Sequence, residues 1–135
     1  MLRAREARLE RERLEDDMAR ILVVDDDSSL RILYSKELAD EGYDVESVSS
    51  GREAMDSIAG RRPDIVILDI KMEGMDGLSV LDEIMKIDKT IPVILNTAYS
   101  TFKSDFTTWS ADAYVVKSSD LTELKETVRQ ILQSA

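Results

Sequence analysis

The sequence has no cysteine and no histidine. Without cysteine there is no disulfide framework, thiol nucleophile or thiolate metal site. Without histidine there is no imidazole acid–base catalysis, no histidine metal ligand and no phosphohistidine carried by this chain. Basic residues are scarce: 18 Lys and Arg against 28 Asp and Glu give a formal net charge of −10. That argues against binding nucleic acid through its phosphates, which needs clustered Lys and Arg. No apolar run approaches the roughly 20 residues that span a bilayer. The first residues are too charged for a signal peptide. Internal repeats and low-complexity linkers are also missing. The 135 residues fit one domain with a modest core, and a soluble cytoplasmic protein with no membrane or nucleic-acid partner is expected.

What is present divides at Met18. Residues 1–17 are mostly Arg, Glu, Leu and Ala, strong helix formers without Gly or Pro. Arg8 with Glu12 and Arg11 with Glu15 pair at helical spacing. Leu2 and Leu9 are one heptad apart, but Leu14 breaks the register, so a sustained coiled coil is poorly supported. The segment reads as a charged helical extension: a solvated helix, a leader before a start at Met18, or an arm for a partner. Residues 18–135 read as the domain proper.

From Met18 the pattern alternates between short apolar runs and helical periodicity. Ile21-Leu22-Val23-Val24 is a buried strand ending on Asp25-Asp26-Asp27. Asp27 or Ser28 caps a helix striped by Leu30, Leu33, Tyr34 and Leu38, with Gly42 past its end. Residues 43–48 alternate as a half-exposed edge strand should. Ser50-Gly51-Arg52-Glu53 is a capping box that opens a helix through Ala59. The run Ile65-Val66-Ile67-Leu68 ends on Asp69, and the turn residues Glu73 to Gly77 follow. Leu78, Leu81 and Met85, with Ile84 beside them, mark a third helix. Pro92 to Leu95 is a fourth strand ending on Asn96-Thr97-Ala98. A fourth helix carries Phe102, Phe106 and Trp109. Ala113 to Val116 is a fifth strand ending on Lys117. Leu121, Leu124, Val128 and Ile131 stripe the last helix, capped by Asp120 with Glu123. Five βα units predict a three-layer α/β fold, a five-stranded parallel sheet between helices.

In such a sheet the carboxyl ends of all strands share one edge, where ligands bind. Asp25, Asp26, Asp69, Thr97 and Lys117 therefore converge. Clustered carboxylates either face water or hold a cation, and an all-oxygen set favours Mg²⁺, Mn²⁺ or Ca²⁺ over zinc. A carboxylate can attack phosphorus to form an aspartyl phosphate. A metal ion and an ammonium then offset charge on the phosphoryl oxygens. Each residue alone also has a commonplace reading: Asp25 to Asp27 as a helix start, Asp69 as a turn-starter, Lys117 as a surface charge.

Residues 19–133 resemble the receiver domain of bacterial two-component response regulators, of the stand-alone type. The resemblance rests on Ile21 to Asp26, Asp64 to Asp69 with Met75-Asp76-Gly77-Leu78, Pro92 to Ala98, and Tyr114 to Lys117. It implies the flavodoxin-like strand order 2-1-3-4-5. By this resemblance Asp69 is the phosphoacceptor. Asp25 and Asp26 position Mg²⁺ (or Mn²⁺), with Asp69 and the backbone carbonyl of Lys71 as further ligands. Thr97 is the switch hydroxyl, Lys117 the ammonium that contacts the phosphoryl group, and Tyr114 the aromatic switch residue. The phosphoryl donor is a histidine kinase or histidine phosphotransfer protein, so the missing histidine fits. A downstream protein would bind the face made by the fourth helix, fifth strand and last helix. The protein is expected to be a monomer or weak homodimer, and not an enzyme beyond its own phosphorylation and dephosphorylation.

Several positions depart from the family pattern. Ser118 replaces the usual Pro after Lys117, removing the ordinary cause of a cis bond. Glu73 stands where Pro is common, and Ser110 where Gly is usual. The fourth helix is unusually aromatic, either as core or as a partner-binding patch. Two other functions stay open: a phosphate-independent binding module, and a small Mg²⁺-dependent phosphatase in which Asp25-Asp26-Asp27 would place the nucleophile at Asp25.

Overall fold

The computed structural model describes residues 3–8, 18–72, 75–98 and 110–134. Five strands form one parallel sheet: β1 (Arg20–Val24), β2 (Asp44–Val48), β3 (Ile65–Leu68), β4 (Val93–Thr97) and β5 (Ala113–Val116). Their order is β2-β1-β3-β4-β5, as the resemblance implied. Helices α1 (Ser28–Asp40), α2 (Gly51–Gly60) and α3 (Gly77–Ile87) and a C-terminal helix (Thr122–Ser134) cover the two faces.

Burial follows from strand position. β3 and β4 are buried at every residue, whereas the edge strand β2 is half-buried until Val48. Alternation divides the core into two layers. Ile21, Val23, Ile65, Ile67, Ile94 and Val115 pack under α1 and the C-terminal helix, which contribute Tyr34, Leu38, Leu124 and Val128. Leu22, Val24, Val66, Leu68, Val93 and Leu95 face α2 and α3. Each fully buried Leu or Ile contributes roughly 1.5–3 kcal/mol of burial free energy before entropy costs.

The helix starts follow the capping logic. Asp27 accepts hydrogen bonds from Ser29 N and Leu30 N at 2.9 and 3.2 Å. Ser50 Oγ accepts from Glu53 N at 3.2 Å, and Asp120 Oδ1 from Thr122 N at 3.0 Å. Gly42, past the end of α1, has φ +98°, a conformation that costs a glycine little.

Some expectations shift. The α3 stripe centres on Val80, Leu81 and Ile84, while Leu78 and Met85 are only partly buried flanks. Asn96 and Thr97 lie within β4, not past its end. Lys71–Met72 and Met75–Asp76 pair as a short antiparallel hairpin, where the sequence showed only turn residues. Ser110 takes φ +64°, in the left-handed region that favours glycine. The peptides among the described residues are all trans, including the one after Lys117. Residues 4–8 are helical. Residues 9–17 with the Arg11–Glu15 pair, Glu73, and the aromatic segment of Phe102, Phe106 and Trp109 lie outside the described residues.

Candidate functional site

Two strand ends deliver the acidic cluster. Asp25 follows β1 and Asp69 follows β3, and both are buried, whereas Asp26 is exposed. The ladder carries on past the strands: Asp69 N donates to Val24 O at 3.0 Å, and Asp25 N to Val48 O at 3.2 Å. Backbone pairing thus fixes both carboxylates. Asp25, Asp26 and Asp69 each offer an oxygen within 4.8 Å of the others. At an effective dielectric constant of about 20, two like charges at that separation repel by about 3–4 kcal/mol.

Lys117 offsets part of this repulsion. Its backbone N–H donates to Thr97 O at 2.7 Å, which continues the β4–β5 ladder. Its Nζ reaches back across β4 to Asp25 Oδ2 at 2.8 Å and Asp69 Oδ2 at 3.2 Å. Burial works to lower the Lys117 pKa, but hydrogen bonds and charge from Asp25 and Asp69 outweigh it and hold the pKa above the ordinary lysine value. Arg31 donates to Asp25 O at 2.7 Å and so ties α1 to the end of β1.

Among the described residues one ammonium faces three carboxylates, and the cluster's ligand atoms are all oxygen. Asp25, Asp26 and Asp69 therefore fit a hard, small dication such as Mg²⁺. Lys71 lies two residues beyond Asp69, in the hairpin strand paired with Asp76.

Thr97 is fully buried and Tyr114 is 4% exposed. Tyr114 lies alongside Leu95, so it and Thr97 occupy the same sheet face, the one under α2 and α3. Asp25, Asp69 and Lys117 emerge by alternation on the opposite face.

Two features went unread in the sequence. Gly77 appeared there as a turn residue and in a motif of the resemblance, with no packing role. A Cβ at Gly77 would stand 2.1 Å from Asp69 O and 2.6 Å from Ile70 Cα, while its N–H donates to Ile70 O at 2.6 Å. The chain after Asp69 is thus packed backbone against backbone. Gly77→Ala is expected to lower the unfolding free energy by about 3 kcal/mol, measured by urea titration, because backbone atoms have to move. The second feature is a buried polar pair. Asn96, 3% exposed, lies beside Tyr34 of α1, itself 1% exposed. Burial raises the Tyr34 pKa, the Asn96 amide and Lys117 charge pull it down, and Asp25 and Asp69 add to the rise. Asn96 Nδ2 has no hydrogen-bond partner among the described residues, at a typical cost of about 1–3 kcal/mol. A polar residue inside an apolar strand was the available signal.

The family model of the response regulator receiver domain matches residues 21–129. The chain belongs to this family. Membership makes this receiver a phosphorylation-dependent signalling module of a two-component system. Sporulation initiation phosphotransferase F of Bacillus subtilis is 35% identical over 84% of this chain and 93% of its own length. Regulatory protein AtoC of Escherichia coli is 37% identical over 84% of this chain, which spans 25% of that longer protein. Among solved structures, response regulator protein TrrA of Thermotoga maritima, in complex with Mg²⁺-BeF, has 47% identity and a TM-score of 0.79. That match covers 84% of this chain and 99% of TrrA. TrrA has also been solved in complex with histidine kinase ThkA.

No helix among the described residues is long and apolar enough to cross a membrane.

Proposed function

We propose that this receiver accepts a phosphoryl group onto Asp69 from a phosphohistidine on a histidine kinase or phosphotransfer protein. The observation that carries this reading is the convergence of two buried carboxylates on one ammonium, with Lys117 Nζ 3.2 Å from Asp69 Oδ2 and 2.8 Å from Asp25 Oδ2, and a third carboxylate, Asp26, beside them. The family match and the ThkA complex of TrrA support a kinase as donor.

Asp25, Asp26, Asp69 and the Lys71 carbonyl would hold Mg²⁺ or Mn²⁺, which when bound offsets the charge of the carboxylates and of the phosphoryl oxygens. An Asp69 oxygen attacks phosphorus in line. The new P–O bond forms as the donor P–N bond breaks, and the imidazole nitrogen leaves with the electron pair. The Lys117 ammonium turns from the carboxylates toward the added phosphoryl oxygens, and the Thr97 hydroxyl donates to one of them. Thr97 and Tyr114 share a sheet face, so moving the hydroxyl reshapes the space around the ring. A complete flip from 1:99 to 99:1 needs about 5.5 kcal/mol of differential stabilisation. The chain acts as a switch and catalyses only its own phosphorylation and dephosphorylation. It is cytoplasmic, a monomer or weak homodimer, and binds neither nucleic acid nor membrane. Its output passes to a protein at the face that includes β5 and the C-terminal helix. Residues 18–135 form the receiver, and residues 1–17 a helical extension.

Beryllofluoride with Mg²⁺ tests the site. At a hundredfold excess over Kd, binding adds about 2.7 kcal/mol, which for a domain of this size raises Tm by roughly 8–12 °C. The pair together is expected to produce that rise, and either alone much less. Equal melting curves in all four conditions would refute the reading.

A further inference from the structure

The Arg31 guanidinium binds the backbone of the acidic cluster, not a carboxylate oxygen. Arg31 sits in the first turn of α1, where its backbone N–H donates to Asp27 O at 3.0 Å. Its half-buried side chain turns back, and Nη1 donates to the carbonyl oxygen of Asp25 at 2.7 Å. That carbonyl lies past the end of the strand pair, since β1 ends at Val24, β2 ends at Val48 and Ser50 already caps α2. The bond is charge-assisted, roughly twice as strong as a neutral one.

The Asp25 carbonyl belongs to the peptide that leads into Asp26. The peptide that leads out is held as well: Asp27 N–H donates to Asp25 Oδ1 at 3.0 Å. Asp25 is itself fixed, by its N–H on Val48 O at 3.2 Å and by Lys117 Nζ 2.8 Å from its Oδ2. Both peptide planes that flank Asp26 are therefore pinned, one through its oxygen and one through its N–H. Asp26 is the exposed carboxylate of the three, so core packing does not set its direction and the backbone on either side matters. Repulsion from Asp25 and Asp69, whose oxygens lie within 4.8 Å, pushes it outward.

We propose that Arg31 is a positioning residue for the divalent cation: by holding the Asp25–Asp26 peptide it keeps the Asp26 carboxylate turned toward Asp25 and Asp69, ready to bind metal. This inference rests on the metal-assisted phosphotransfer reading above and extends it. Without the bond the peptide rotates more freely, and repulsion swings Asp26 toward water. A cation then has to restore the arrangement as it binds, and its affinity falls. The sign of this effect is opposite to that of charge alone. Arg31 places a positive charge near a cation site, so by Coulomb's law its removal strengthens Mg²⁺ binding. By positioning, its removal weakens binding.

The test is the Mg²⁺ Kd of the full chain, read from the rise of Tm with Mg²⁺ concentration at constant ionic strength and with no phosphoryl donor present. Arg31→Met keeps much of the apolar stem and a good helix former but removes the charge and the donors. It is expected to raise the Kd about tenfold, the lower end of what loss of such an outer partner costs a metal site. Arg31→Lys keeps the charge and a donor, and recovers part of the loss. A Kd raised less than about threefold in Arg31→Met, or a Kd that falls, overturns the proposal. So does a Tm lowered by the same amount at every Mg²⁺ concentration, which marks a bond that only supports the fold. Should Arg31→Met fail to fold, Arg31→Ala, with the best helix former of all, decides by the same threshold. A wild-type Tm that does not respond to Mg²⁺ overturns this proposal together with the metal site of the phosphotransfer reading. A responsive wild type with an equally responsive Arg31→Met overturns this proposal alone.

Discussion

An Asp69→Asn variant is expected to take up no phosphoryl group at the strand end while staying at least as stable as the parent. The chemistry is lost because an amide oxygen is a far poorer nucleophile than a carboxylate and forms no acyl phosphate. Stability holds because the substitution keeps the side-chain shape and removes one of three crowded negative charges. Lys117 retains its 2.8 Å partner in Asp25. The thermal midpoint therefore stays level or rises by a few degrees, in line with about 1 kcal/mol of relieved repulsion. Phosphate labelling and a melting curve on the same sample check both halves. Label retained by the variant would place the acceptor elsewhere.

The second large effect is Lys117→Met. The methionine keeps much of the apolar stem but leaves Asp25 and Asp69, with side chains 3% and 6% exposed, facing each other without their ammonium. Breaking a buried pair from one side typically costs about 3–5 kcal/mol. Added Mg²⁺ is expected to restore more stability to this variant than to the parent, because a bound dication is then the main counter-charge. Phosphorylation from acetyl phosphate falls on the order of a hundredfold, since a preorganised cation at the transferring group is gone. The pH dependence follows from the raised Lys117 pKa. The pair's contribution is fully present below the ordinary lysine value of 10.5 and is lost as pH rises through the higher folded-state value. The parent therefore loses stability at strongly alkaline pH, and Lys117→Met lacks that step. Urea titrations at neutral and alkaline pH measure the difference, and an equal alkaline loss in both proteins would contradict it.

Much of this arrangement was legible in the sequence because apolar runs and strand-end polar residues are local signals. Ile21 to Val24 and Ile65 to Leu68 read as buried strands, and they are buried. Asp25, Asp69 and Lys117 read as convergent because a parallel sheet leaves their strands no other edge. What stayed hidden depends on contacts between distant backbones. The hairpin that pairs Lys71 with Asp76 has no alternating apolar pattern to announce it. The close approach of Gly77 to Asp69 O is a tertiary contact. Tyr34 passed as one more member of a helical stripe and Asn96 as a strand-end polar residue. Only the register between β3 and β4 shows that Asn96 lies inside the sheet, next to the acceptor strand. Strand order came from the resemblance, since periodicity alone does not order strands.

The central claim is that Asp69 receives the phosphoryl group in a pocket built by Asp25, Asp26 and Lys117. The most direct measurement incubates the chain with acetyl phosphate and Mg²⁺, traps the acyl phosphate by borohydride reduction and maps the modified residue by peptide mass. The account predicts one modified residue, Asp69, and none when Mg²⁺ is chelated. Modification at Asp25, as a phosphatase-type nucleophile would show, or label that forms equally well without a divalent cation, would contradict it.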